Sequence, residues 1–200
     1  MGTGRLEAFS DGVLAIIITI MVLELHAPEH PTWDAFAEET LTGLVIYLLS
    51  FVYIGIYWNN HHHMMKLTQR VSGGVLWANL HLLFWLSLFP FTTRWMGETD
   101  VARVPVLLYG INLLAAAIAY YVLTRVIIHL EGPDSRLRQA TGSDRKGKIS
   151  PVIYVLGIAS AFITPWLGIA FFTVVAAIWL VPDRRVERFA AQAGSEAGSG

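Results

Sequence analysis

Apolar residues in this chain are gathered into long uncharged blocks separated by short polar clusters, and the block lengths are those of membrane helices. A first apolar run, AIIITIMVLEL, occupies residues 15–25. Stretches free of Asp, Glu, Lys and Arg then cover residues 40–65, 71–93, 104–124 and 149–182. A bilayer core about 30 Å thick requires about 20 helical residues, so each of the first three blocks is one crossing. The last block holds 34 residues. As one straight helix it would reach about 50 Å, so it must fold back on itself. Thr164-Pro165-Trp166-Leu167-Gly168 is the expected turn, because proline breaks the preceding helix and tryptophan and glycine suit an interface.

The pattern therefore predicts an all-α integral membrane protein with six transmembrane helices, over residues 4–25, 40–65, 71–95, 103–129, 148–164 and 166–183. They form a single domain over residues 1–188, followed by a flexible tail at 189–200. The first run lacks a basic cluster ahead of it and a small-x-small cleavage site after it, so it reads as a retained helix.

Charge orients the bundle. With the N-terminus inside, Arg5, Lys66, Arg70, Arg125, Arg136, Arg138, Arg145, Lys146, Lys148, Arg184, Arg185 and Arg188 all fall on the cytoplasmic side. Only Arg94 and Arg103 fall outside, an asymmetry that predicts cytoplasmic N- and C-termini in the plasma membrane. The outer side collects Glu24, Glu29, Asp34, Glu38, Glu39, Glu98 and Asp100, and is acidic. The net charge of -1 says little about partners, because the distribution of charge carries the information, and no basic patch suggests nucleic acid. Absence of cysteine removes disulfides, thiolate nucleophiles and thiolate metal sites.

Asp11 is the first residue to demand chemistry, since a carboxylate at membrane depth costs several kcal/mol unless it is paired. At about 100° per residue, Gly12, Ile16, Thr19 and Leu23 share one stripe of the first helix with Ile20 beside it, and Asp11 points elsewhere. Periodicity alone leaves that stripe as a lipid-facing or packing surface, with Thr19 bonded to the carbonyl of Ala15. The inner end of the second span reads Tyr57-Trp58-Asn59-Asn60-His61-His62-His63 and supplies N–H donors at comparable depth. A Trp–His–Asp network between the first two helices is the expectation. Consecutive histidines project about 100° apart on a helix and do not converge on one ion, so no metal site is expected. In the third span, Asn79 and His81 are polar enough to face the bundle interior. Gly110 and residues 115–117, with Gly157 and residues 159–161, suit close helix approach.

The run Arg5, Phe9-Ser10-Asp11 and AIIITIMVLEL, together with Trp58, Asn60, His61 and His62, resembles the bacterial branch of the transmembrane protein 175 family. These are potassium-permeable channels whose animal members reside in endosomes and lysosomes. The resemblance implies a homotetramer in a lipid bilayer, with the first helix of each subunit lining a central pore for potassium and other monovalent cations and with no cofactor. It implies Ile16 as the narrowest ring, Ile20 and Leu23 as further hydrophobic rings, and Thr19 as a polar layer. The Phe-Ser-Asp motif then lies behind the pore, bonded to the Trp and His of the second helix. Such an apolar constriction would gate by dewetting; no Thr-Val-Gly-Tyr-Gly carbonyl filter exists in the chain. Glu24, nearest the outer exit, would favour cations. His63 stands where family members commonly carry arginine.

Two other classes compete. A proton-coupled transporter would use Asp11 and the histidines as a relay, while a proton-conducting channel is a variant within the channel class itself. A haem-binding enzyme would use His62, His81 or His129 as axial ligands.

Overall fold

A computed structural model describes residues 2–142 and 145–180, with the side chain of Arg145 excepted. Arg184, Arg185, Arg188, the end of the sixth expected span and the expected tail lie outside the described residues.

The chain is all helical there. α1 is Thr3–Leu23, α2 Trp33–Leu67, α3 Gly73–Glu98 and α4 Arg103–Glu131, each long and apolar enough to cross a membrane. A short α5, Arg136–Thr141, leads to α6, Arg145–Ser160, and α7, Pro165–Leu180.

Three departures from the expected spans have a local reason. α2 starts at Trp33 instead of residue 40, because Thr32 caps it by accepting the Ala35 N–H at 3.2 Å. Asp34, Glu38 and Glu39 sit in its first turns, where the helix dipole favours negative charge. α3 is interrupted at Leu88, with α-helical parts Gly73–Ser87 and Phe89–Glu98. Pro90 has no N–H to give to the carbonyl one turn back. The reversal between α6 and α7 lies at residues 161–164, not 164–168. Pro165 begins α7, the position where its missing N–H is free of cost, so Trp166, Leu167 and Gly168 are helical.

Neighbouring helices alternate in direction. At one end Glu7 meets His62, Glu131 accepts the Gln69 N–H, and Trp179 donates to Ser150. At the other, Thr40 donates to the carbonyl of His26, and Arg94 reaches Glu24. Among the described residues, most lysines and arginines lie at the first end and most carboxylates at the second.

Small residues bring the later helices together. A methyl group on Gly110 would lie 2.5 Å from the Phe172 ring, and one on Gly157 would lie 2.6 Å from it. Substitution at either would force overpacking. Around Phe172, Tyr53, Tyr109 and Tyr154 form the aromatic centre of the core. Its hydroxyls are satisfied: Tyr53 donates to the Phe172 carbonyl, and Thr93 donates to Ser50, which shares a hydrogen bond with Tyr109.

Candidate functional site

α1 divides into two faces. Leu6, Ser10, Leu14, Ile17 and Met21 recur every three or four residues and are buried against α2 and α3. The opposite face is bare in the protomer: Ile16 is 58% exposed, Ile20 40% and Leu23 81%. Gly12 and Thr19 lie exposed on the same side. Thr19 gives its hydroxyl hydrogen to the carbonyls of Ile16 at 2.9 Å and Ala15 at 3.2 Å, which leaves the oxygen lone pairs free to accept. The bare face is thus apolar apart from the Thr19 hydroxyl and carries no ionisable side chain.

Behind it, three helices are tied by one buried chain of hydrogen bonds. Ser10 Oγ donates to the Leu6 carbonyl at 2.9 Å and accepts the amide N–H of Asn79 at 2.9 Å. Asn79 Oδ1 accepts from His61 Nε2 at 2.8 Å, which places that hydrogen on Nε2. α1, α3 and α2 are joined in that order.

This corrects the expected Trp–His–Asp network. Asp11 is not hydrogen-bonded to Trp58 or to any of the three histidines, and its Oδ1 is buried without a partner among the described residues. Ser10 and Asp11 are about 100° apart on the helix, so only one can face Asn79. Trp58 instead lies nearly parallel to His62, with ring centroids 6.1 Å apart. His62 in turn meets Glu7 at 2.6 Å, a partner the sequence reading passed over. Asn60 bonds its own helix at the Ile56 carbonyl, and its backbone carbonyl accepts from Tyr120 on α4. Phe9 and Trp58 are half exposed and Arg5 is exposed, so these three motif residues point away from the bonded centre. His81 faces outward, not the bundle interior, and accepts from Trp85 at 3.0 Å.

At the acidic end, Glu24 is not a free carboxylate. Arg94 Nη1 reaches it at 2.6 Å while Arg94 Nε bonds Glu98 at 2.8 Å. One guanidinium therefore bridges the end of α1 to the end of α3 and offsets part of the negative field there. Exposed as it is, this trio has little leverage on stability. Its significance is electrostatic.

Comparison with known proteins places this arrangement. The family model described as "Endosomal/lysosomal potassium channel TMEM175" matches residues 5–90, that is α1 through most of α3. A potassium channel of Chryseobacterium sp. (strain P1-3) is 55% identical over 188 residues, covering 94% of this chain and 97% of that protein. The crystal structure of a lysosomal potassium-selective channel TMEM175 homolog from Chamaesiphon minutus superposes with a TM-score of 0.74. It is 31% identical, and the match covers 90% of this chain and 96% of that one. The endosomal/lysosomal proton channel TMEM175 of Gallus gallus is 26% identical over 132 residues, 64% of this chain and 25% of that protein.

Proposed function

The chain belongs to the TMEM175 family of potassium-permeable channels, and from that premise we propose that four copies assemble with their α1 strips around a central conduction path. It is a channel and not an enzyme. In this reading six helices of each subunit span the plasma membrane, with α6 and α7 as the fifth and sixth, and both termini are cytoplasmic.

The observation that carries the reading is the two-faced α1. Its polar and large apolar groups at Ser10, Leu14 and Met21 are consumed by the protomer, while Ile16, Ile20 and Leu23 are left without cover. A single helix per protomer cannot enclose a pore, so symmetry must supply the remaining walls. Four Ile16 side chains facing an axis form a ring without oxygen ligands. An ion crossing it sheds water with no compensation, and a slightly narrower ring excludes water altogether. Closure then needs no charged plug. Potassium passes such a ring more readily than sodium because it gives up its hydration more easily. Thr19, Ile20 and Leu23 continue the wall outward, and Glu24 stands at the exit with its charge partly offset by Arg94.

Proton conduction is the second reading, favoured by the name of the vertebrate relative and by the carboxylate of Asp11 close behind the strip. Liposomes holding the purified protein separate the two. Under a potassium gradient, a potassium channel develops a valinomycin-like membrane potential that a protonophore collapses. A proton channel develops a potential only with a pH gradient. Native mass spectrometry of the same preparation tests assembly: a tetramer is expected, and a monomer that conducts would end the proposal.

A further inference from the structure

The basic end of the protomer contains a cavity that the pore does not use. It has a volume of about 610 Å³, opens to the outside and is lined by α2, α4, α5, α6 and α7, with no contribution from α1 or α3. Pocket volumes of roughly 300–1,000 Å³ are those of small-molecule sites.

Its rim and its floor differ in character. Arg125, Arg138, Lys146, Lys148 and His129 surround the rim, and no carboxylate is among the lining residues. Arg125, Arg138 and Lys148 form no ion pair with a described carboxylate. Glu131, the acid at the end of α4, is engaged elsewhere, accepting from the Gln69 N–H and from Ser135 Oγ. The positive charge of Arg125, Arg138 and Lys148 is therefore left without a counter-ion among the described residues. The floor is aromatic: Tyr57 and Tyr120 meet edge to face at 6.2 Å, and Tyr53 lies deeper still. Tyr53 is 14 residues from the end of α2 at Leu67, which at 1.5 Å per residue puts the floor about 20 Å into the bundle. Tyr121, 58% exposed, stands at the lateral edge with the Arg125 guanidinium over its ring.

A soluble anion would use the rim and leave the deep apolar floor empty. An amphiphile with an anionic head uses both. The Lys/Arg asymmetry puts the rim in the inner leaflet, where anionic phospholipids are enriched and where basic pockets between helices hold their headgroups. We propose that this cavity binds an anionic phospholipid, with Arg125, Arg138 and Lys148 on the phosphate and an acyl chain running over Tyr57 and Tyr120 toward Tyr53.

The test is thermal stability of the full-length protein in detergent, titrated separately with dioleoylphosphatidylglycerol, dioleoylphosphatidylcholine and glycerol 1-phosphate. Phosphatidylglycerol should raise the unfolding temperature saturably, and the other two should not. R125Q/R138Q should shift half-saturation by about 30-fold, the weight of two basic contacts at a membrane surface. Ala117→Trp keeps every charge and fills the floor, so it should abolish the response and serves if the double variant is unstable. Equal responses to the two lipids, an undiminished response in both variants, or a response to glycerol 1-phosphate that matches the lipid would each overturn the proposal.

Discussion

His61 on α2 gives its Nε2 hydrogen to Oδ1 of Asn79 on α3 at 2.8 Å, and both side chains are buried. Because the same amide donates to Ser10, Asn79 ties α1, α2 and α3 together. Asn79→Leu keeps the branched shape and deletes both bonds, leaving the His61 Nε2–H buried without a partner and Ser10 with only its bond to the Leu6 carbonyl. The expected loss is about 1–3 kcal/mol of stability, read as a lower unfolding midpoint in detergent. Ser10→Ala should cost less, since part of the Ser10 hydroxyl's bonding is to its own helix at Leu6. Equal midpoints for Asn79→Leu and the parent protein would show that the junction contributes nothing.

Ile16 and Leu14 lie two residues apart on opposite faces of α1, which makes them a matched pair. Asparagine at Ile16 should hydrate the proposed constriction and raise potassium flux into liposomes severalfold, with little change in protomer stability because the site is exposed. Asparagine at Leu14, which is 1% exposed, buries an unsatisfied amide and should cost about 1–3 kcal/mol without opening the path. A flux increase from Leu14→Asn and none from Ile16→Asn would assign the faces the other way round.

The α1 strip was legible because a helical period sorts Ile16, Thr19 and Leu23 from Asp11 with no knowledge of neighbours. The uncharged blocks were legible for a similar reason: bilayer thickness alone sets their length. Partner choice was not. Whether Ser10 or Asp11 meets α3 depends on how α1 is rotated against Asn79, and that rotation is decided by packing across helices. Asn79 carried a usable signal, an amide in an apolar block, which pointed inward correctly; His81, two residues on, falls about 200° around the helix and faces out. Arg94 and Glu24 are 70 residues apart, so only the folded bundle could pair them. The early start of α2 was hidden by the charged residues at its head, which read as loop when capping by Thr32 is not considered.

Glu24 and Arg94 should act on cation flux with opposite signs. A unit charge about 10 Å from the path in water is worth about 0.4 kcal/mol, about twofold in local cation concentration. Glu24→Gln is expected to lower potassium flux at low ionic strength by about that factor, and Arg94→Gln to raise it. Both effects should vanish in 1 M salt, where screening acts within about 3 Å. If Arg94→Gln lowers flux and salt does not restore it, the guanidinium is holding the α1 exit in shape and its field is irrelevant.

Asp11 presents a different balance. A carboxylate at the middle of a membrane helix costs about 2.5–3.5 kcal/mol on insertion scales, less toward the ends, and its Oδ1 gains no hydrogen bond among the described residues. Within the protomer alone, then, neutralising it should be neutral or stabilising. The contact that offsets the cost lies on a neighbouring copy if α1 lines a symmetric pore, because such an assembly sets another subunit beside each α1. Asp11→Asn keeps the shape and removes the charge. The expected result is an unchanged or higher unfolding midpoint for the protomer, together with a tetramer that dissociates at concentrations about tenfold higher in native mass spectrometry. A variant whose tetramer is intact and whose protomer is weakened would place the partner of Asp11 inside its own subunit, and the carboxylate would then belong with Ser10, His61 and Asn79 after all.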